Sequence, residues 1–138
     1  MDVMRLARRA REGEDERLSE APLQAFRATD AFAHAAARAA ASLGGPGGEA
    51  LRADIVGAVL RCGAGLLVAS ESPRGSGAEA SALEGVTRAL AGTRYALYLA
   101  RRLGALDLRS YRSLAARADA AAREVRALRE RLPSTRAP

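Results

Sequence analysis

The residues of this chain whose types and spacing could do chemistry are arginines and tyrosines. Arg88, Tyr95 and Arg102 lie seven residues apart, which on a helix sets them nearly in line, and Arg94, Tyr98 and Arg101 flank that line. A guanidinium makes charge-assisted, forked hydrogen bonds to phosphate, and an exposed tyrosine ring stacks on an unpaired base. Further on, Arg109, Arg112, Arg123 and Arg126 fall opposite an apolar seam. Together these residues suit the recognition of a nucleic-acid strand. They equally describe a solvated arginine face with tyrosines packed at its edge, and the residues alone leave both readings open.

Other chemistries find less support. His34 is the one histidine; metal sites need several convergent ligands, and no Glu-x-x-His pair of the di-iron kind occurs. Cys62 falls on an apolar stripe, which favours a small buried side chain over a nucleophile. A nucleophile would also need a base, and one histidine would have to serve every candidate. The glycines at 44–48 do not lead into Lys-Ser/Thr, and Gly63-Ala-Gly65 lacks the preceding strand of a dinucleotide fingerprint. Carboxylates scattered among arginines fit surface ion pairs. No catalytic residue, metal or other cofactor is expected, and an enzyme is not the expected class.

The elements that must position the arginines are helices. At 138 residues one domain is expected. Hydrophobic residues make up 49% but are mostly alanine, aromatics are 4%, and tryptophan is absent. Alanine has the best helix propensity and lets helix axes approach closely, whereas the scarcity of Val, Ile, Thr and aromatic runs argues against a sheet. Net charge is +6, and all 22 basic residues are arginine. An acidic partner fits that balance, although GC-rich coding would enrich Arg, Ala and Gly together. A lone cysteine allows no internal disulfide and fits a reducing compartment. No apolar run approaches the roughly 20 residues of a membrane span, and residues 1–12 lack the apolar core of a secretory signal. A cytoplasmic protein with no membrane partner is expected.

Residues 1–18 read as a charged, disordered tail or, alternatively, a nucleic-acid-binding arm. A bundle over 19–132 follows, and 133–138 form a disordered tail. Helix 1 is predicted from near Pro22 to about Leu43, with Phe26, Thr29, Ala33, Ala36, Ala40 and Leu43 inward, before the stop Gly44-Gly-Pro-Gly-Gly48. Helix 2 is predicted over about Glu49 to Ser70. Leu51, Ile55, Val59, Cys62, Leu66 and Ala69 line one side; Val56, Leu60, Gly63 and Leu67 form a second apolar arc, leaving a narrow polar strip around Asp54 and Arg61. A helix apolar over most of its circumference needs cover on more than one side, so a subunit interface is expected. Ser76 and Glu79 have capping-box spacing and open helix 3, whose inward face is Leu83, Val86, Leu90, Thr93, Leu97 and Ala100. Gly104 is a left-handed stop and Asp107 the N-cap of helix 4. There Tyr111, Leu114, Ala118, Ala121, Val125, Leu128 and Leu132 hold a heptad-like seam. Short connections between helices of similar length predict an all-α, up-down-up-down four-helix bundle.

Leu97-x-Leu-Ala-x-x-Leu-Gly-x-Leu106, followed by Tyr111-x-x-Leu114 and a Leu-ended helix, resembles the second half of a bacterial four-helix-bundle family. That family includes proteins encoded in 23S rRNA intervening sequences and the accessory variability proteins of diversity-generating retroelements. The resemblance covers about residues 22–132. Gly65-Leu-Leu-Val-Ala69 stands where the family has an Asn-Ile-Ala-Glu-Gly-like signature, and Ala89 and Gly92 stand where it has Ser and Glu. The resemblance implies a ring-like homopentamer with a basic outer surface. For the retroelement branch it also implies binding to RNA or DNA and to a reverse transcriptase. The expected function is thus a non-enzymatic, oligomeric nucleic-acid-binding accessory protein. Arg88, Arg94, Arg101, Arg102, Arg109, Arg112, Arg123 and Arg126 would then meet phosphates, and Tyr95 and Tyr98 would stack. The alternative is a structural or protein-interaction bundle with no nucleic-acid role.

Overall fold

A computed structural model of the chain describes residue 3 and residues 16–131, with side chains from Pro22 onward within that stretch. Four helices occupy it: α1 (Glu16–Ala41), α2 (Gly48–Glu71), α3 (Gly77–Arg102) and α4 (Leu108–Glu130), with no strand among the described residues. Each helix packs on its neighbour in sequence, and α1 closes the ring by packing against α4. With connections this short, that is an up-down-up-down four-helix bundle. The most extensive packing is between α2 and α3. The expected tails, 1–18 for the most part and 133–138, lie outside the described residues, as does Leu132.

α1 begins at least as early as Glu16, so Pro22 lies inside the helix and not at its start. A proline lacks one donor and crowds the carbonyl four residues back, which is why it reads as a boundary. Packing of the amphipathic face, more than local propensity, decides whether a helix persists in a folded protein. The inward stripe of α1 keeps Thr29, Ala36, Ala40 and Leu43 of the expected one and differs at two positions. Phe32 is fully buried along with Ala25, Thr29, Ala36, Ala40 and Leu43, while Phe26 and Ala33 are only half-buried.

On the other helices the expected inward residues are the buried ones. Leu51, Ile55, Val59, Cys62, Leu66 and Ala69 of α2 meet Leu83, Val86, Leu90, Thr93, Leu97 and Ala100 of α3. Leu114, Ala118, Ala121, Val125 and Leu128 of α4 complete the core. Tyr111, placed at the head of the α4 seam, is half-buried at its margin.

The helix ends are held by local hydrogen bonds. Ser76 Oγ accepts from the Glu79 amide at 3.1 Å, and the Glu79 carboxylate reaches back to accept from the Gly75 amide at 2.6 Å. These bonds satisfy donors that a helix start leaves without partners and account for the burial of Glu79. Gly104, at φ +78°, makes the turn between α3 and α4. Asp107 then caps α4, accepting from the Ser110 amide at 2.7 Å and the Ser110 hydroxyl at 3.0 Å. Those two bonds hold its carboxyl below the ordinary aspartate pKa. At the other corner Arg52 donates to the carbonyls of Ala40 (3.3 Å) and Leu43 (3.0 Å), closing the C-terminal end of α1.

Candidate nucleic-acid interface

The turn at Gly104 folds α4 back on α3, so residues six or seven positions from it on either side come level. Tyr98 and Tyr111 are such a pair: their ring centroids lie 6.2 Å apart, edge to face. Tyr95, one helical turn before Tyr98, stands 6.1 Å from it with the rings tilted by 36°. These three tyrosines, all that the chain has, form one cluster, and with Ala91 and Arg94 they border an open recess of about 320 Å³. Tyr95 is 63% exposed and Tyr98 38%, so broad ring surface faces outward. Helical spacing placed Tyr95 and Tyr98 here but assigned Tyr111 to the core seam. Its place opposite Tyr98 follows from how α4 folds back on α3, a distance between helices that spacing along one helix does not carry.

Arg102 reaches back one turn over this cluster. Its Nη1 donates to the Tyr98 hydroxyl at 3.1 Å, and its guanidinium carbon lies 5.9 Å from the Tyr98 ring centroid. The hydroxyl bond is the main cause of a pKa raised above the ordinary arginine value. A positive charge is thereby held beside an aromatic face on exposed surface, as a stacked base with its phosphate requires.

The other arginines sort by their partners. Arg94 is tied to Asp119 of α4, Nε to Oδ1 at 3.2 Å and Nη2 to Oδ2 at 3.4 Å. Arg88 lies 3.9 Å from Glu84, which is equally close to Arg129. Exposed pairs of this kind are weak, up to about 1 kcal/mol, yet they lower the free positive charge at Arg88 and Arg94. Arg101 is half-buried, and its Nε finds no acceptor among the described residues. Arg109, Arg112, Arg123 and Arg126 all lie on α4. All four are exposed, and no ion pair among the described residues engages them or Arg102. Arg112, Asp119 and Arg126 stand seven residues apart in one line, and the salt bridge shows that this line faces α3. The structure therefore groups Tyr95, Tyr98, Tyr111, Arg94 and Arg102 at the α3–α4 groove. Arg88 lies two turns from Tyr95 along α3.

Elsewhere the chemistry is quiet. Cys62 is buried, and burial pushes its thiol up to about 11. His34 is exposed on α1. Among the described residues no cluster of His, Cys, Asp and Glu could hold a metal ion.

Of the second apolar arc of α2, Leu60 is 67% exposed and Val56 36%, while Gly63 and Leu67 are half-buried; Val68, outside that arc, is 51% exposed. Between Ala53 and Ser70 only Asp54 and Arg61 are charged. By length and composition alone α2 could cross a membrane, with 33% of the relevant window buried in the bundle. Those two charges divide the stretch, so it does not read as an uninterrupted apolar run.

Compared with protein-family models, with curated proteins and with solved structures, the chain matches none.

Proposed function

We propose that this chain is a non-enzymatic, homo-oligomeric accessory protein that binds single-stranded nucleic acid along the α3–α4 face. The observation that carries the reading is the three-tyrosine cluster with Arg102 laid over Tyr98. Stacking on aromatic faces is worth about 1–3 kcal/mol per base and is tolerant of sequence, and neighbouring guanidinium groups track the phosphates. Arg102 with Arg101, Arg109, Arg112, Arg123 and Arg126 supplies those phosphate contacts, and Arg88 and Arg94 join once their carboxylate partners are displaced. A net charge of +6 draws a polyanion to this surface over a distance set by the ionic strength.

Assembly is part of the proposal, because α2 exposes an apolar face that one bundle leaves open. The family resemblance adds a ring-like homopentamer and a reverse transcriptase as protein partner, acting in the cytoplasm, a compartment that a lone buried cysteine fits. The uncovered α2 face also favours a second reading, a protein-interaction bundle whose arginine faces only keep the assembly dispersed.

Fluorescence anisotropy with single-stranded RNA and DNA oligonucleotides decides between them. Binding should weaken with salt, with a log–log slope of about −0.7 per phosphate neutralised on a single strand. Absence of binding at low salt removes the first reading and leaves the second.

A further inference from the structure

Arg94 borders the tyrosine recess together with Ala91, Tyr95, Tyr98 and Tyr111, and the way Asp119 holds it decides what it can still bind. A guanidinium carries five N–H donors in one plane, arranged as two forks. The side fork is made by Nε and Nη2, the end fork by Nη1 and the second hydrogen of Nη2. Asp119 takes the side fork, with Nε to Oδ1 at 3.2 Å and Nη2 to Oδ2 at 3.4 Å. The end fork meets no acceptor among the described residues. Two parallel donors thus stay free, in a plane that the carboxylate fixes, at the rim of a recess whose other walls are largely aromatic.

Charge and donor pattern select the group that fits there. Phosphate is drawn by net positive charge, and Arg94 with Asp119 has none; its oxygens would also face the Asp119 carboxylate across the guanidinium. A neutral base meets no such repulsion. Guanine presents two adjacent acceptors, O6 and N7, and an arginine fork matches both. Adenine sets its N6 donor beside N7, so one hydrogen of the fork would meet a donor. Cytosine offers the N4 donor on the corresponding edge, and uracil the single O4 acceptor. In a single strand a base can be stacked on an aromatic ring while this edge stays open.

We infer that the recess reads guanine in a single strand: the base stacks on the tyrosine cluster, and Arg94, held in plane by Asp119, donates to its O6 and N7. Asp119 is then a positioning residue. At a guanine, Arg94 keeps its carboxylate instead of giving it up to a phosphate. The phosphates on either side of the base fall to arginines that no ion pair among the described residues engages. Arg102 lies eight residues from Arg94 along α3 and Arg112 seven from Asp119 along α4, about 10–12 Å along the helix axes. For that reason the ligand is a strand and not a free nucleotide. The side chains of Arg94 and Asp119 are each 48% exposed. Water therefore competes for the fork, and the preference for guanine is about tenfold, near the lower end of what a bidentate base contact supplies.

The inference rests on the nucleic-acid half of the proposed function, and its test separates the two. Anisotropy on the full chain would use eight-nucleotide uridine strands carrying one central purine, whose stronger stacking sets it on the tyrosines in every case. The guanine strand should bind about tenfold more tightly than the adenine strand. Inosine, which keeps O6 and N7, should match guanine, and 7-deazaguanine, which lacks N7, should fall to about the adenine level. Arg94→Lys keeps the charge and loses the fork, so it should remove the preference while affinity for the adenine strand holds. Asp119→Ala should also remove the preference, yet raise affinity for the adenine strand by taking away a negative charge. A folding defect does not produce that pair of opposite signs. Free GMP, at a concentration where unlabelled guanine strand competes, should displace nothing. Equal affinity for the guanine and adenine strands overturns the guanine reading and leaves nucleic-acid binding standing. So does a preference that survives Arg94→Lys or 7-deazaguanine, or GMP that competes as well as the strand. Absence of binding to every strand at low salt sinks both.

Discussion

Gly65 of α2 lies so close to Val86 of α3 that a Cβ built at position 65 would come within 2.6 Å of Val86 Cγ2. Val86 is fully buried and β-branched, so its side chain has no free rotamer into which to retreat. Two residues earlier, a Cβ at Gly63 would meet nothing within 4 Å. Two glycines on one helix therefore answer to different constraints. Gly65→Ala should destabilise the protein by about 1–3 kcal/mol through overpacking, while Gly63→Ala should stabilise it by up to about 1 kcal/mol. Urea denaturation of both variants checks the pair of signs.

Charge reversal on the candidate interface should separate free from engaged arginines. Arg102→Glu and Arg112→Glu should weaken oligonucleotide binding and flatten its salt dependence, by about 0.7 in log–log slope for each phosphate no longer neutralised. Both residues are exposed, so the melting temperature should hold. Arg94→Gln should change affinity less, because Asp119 already holds its guanidinium. Anisotropy titrations across a salt series would show it, and equal affinities throughout would clear Arg102 and Arg112 of the role.

With no tryptophan and three tyrosines, all in one cluster, intrinsic fluorescence reports chiefly on the α3–α4 groove. Oligonucleotide addition should quench that emission. Tyr98→Ala should cost about 1–3 kcal/mol of binding. Tyr98→Phe keeps the ring and loses only the Arg102 bond, so its effect should be smaller. Equal effects from the two variants would mean that stacking is not the contribution of Tyr98.

Cys62 should be inert in the native state. Its thiol is buried and titrates near 11, against 9.0 for an ordinary thiol, so Ellman's reagent at pH 8 should react only after denaturation. The folded protein holds this proton more tightly than the unfolded chain. Stability from Cys62 is thus fully present below pH 9 and declines as pH rises from about 9 to 11. Cys62→Ala should remove that part of the alkaline decline, which thermal melts between these limits would reveal.

The two phenylalanines of α1 should differ in worth. Phe32 is fully buried and Phe26 only half-buried. Phe32→Ala should cost about 3–5 kcal/mol, and Phe26→Ala distinctly less, in the same denaturation assay. A larger loss at Phe26 would mean that α1 presents a different face to the core.

That contrast also marks where sequence reading loses its hold. On α1 alanine recurs on every side of the helix, so the apolar pattern hardly distinguishes one side from another. The expected stripe held Thr29, Ala36, Ala40 and Leu43 but took Phe26 and Ala33 in place of Ala25 and Phe32. Where leucine, isoleucine and valine recur against charged neighbours, as on α3 and α4, helical periodicity leaves one answer and the buried residues follow it. At the candidate interface, the outward placement of the arginines other than the half-buried Arg101 was legible because it follows the same periodicity. Their partners were not: Arg94 meets Asp119 from another helix, 25 residues away, and only packing of α3 on α4 joins them.

By itself, then, the sequence determined what depends on neighbours along the chain. These are four helices, the Ser76 and Asp107 caps, the left-handed Gly104 and the inward faces of α2, α3 and α4, all set by hydrogen bonds and periodicities that span a few residues. Tertiary structure alone decided which arginines meet carboxylates, that Tyr111 stands against Tyr98, and that Gly65 rather than Gly63 is sterically required. Each of these depends on a distance between separate helices, and side-chain volumes summed across the whole core set that distance.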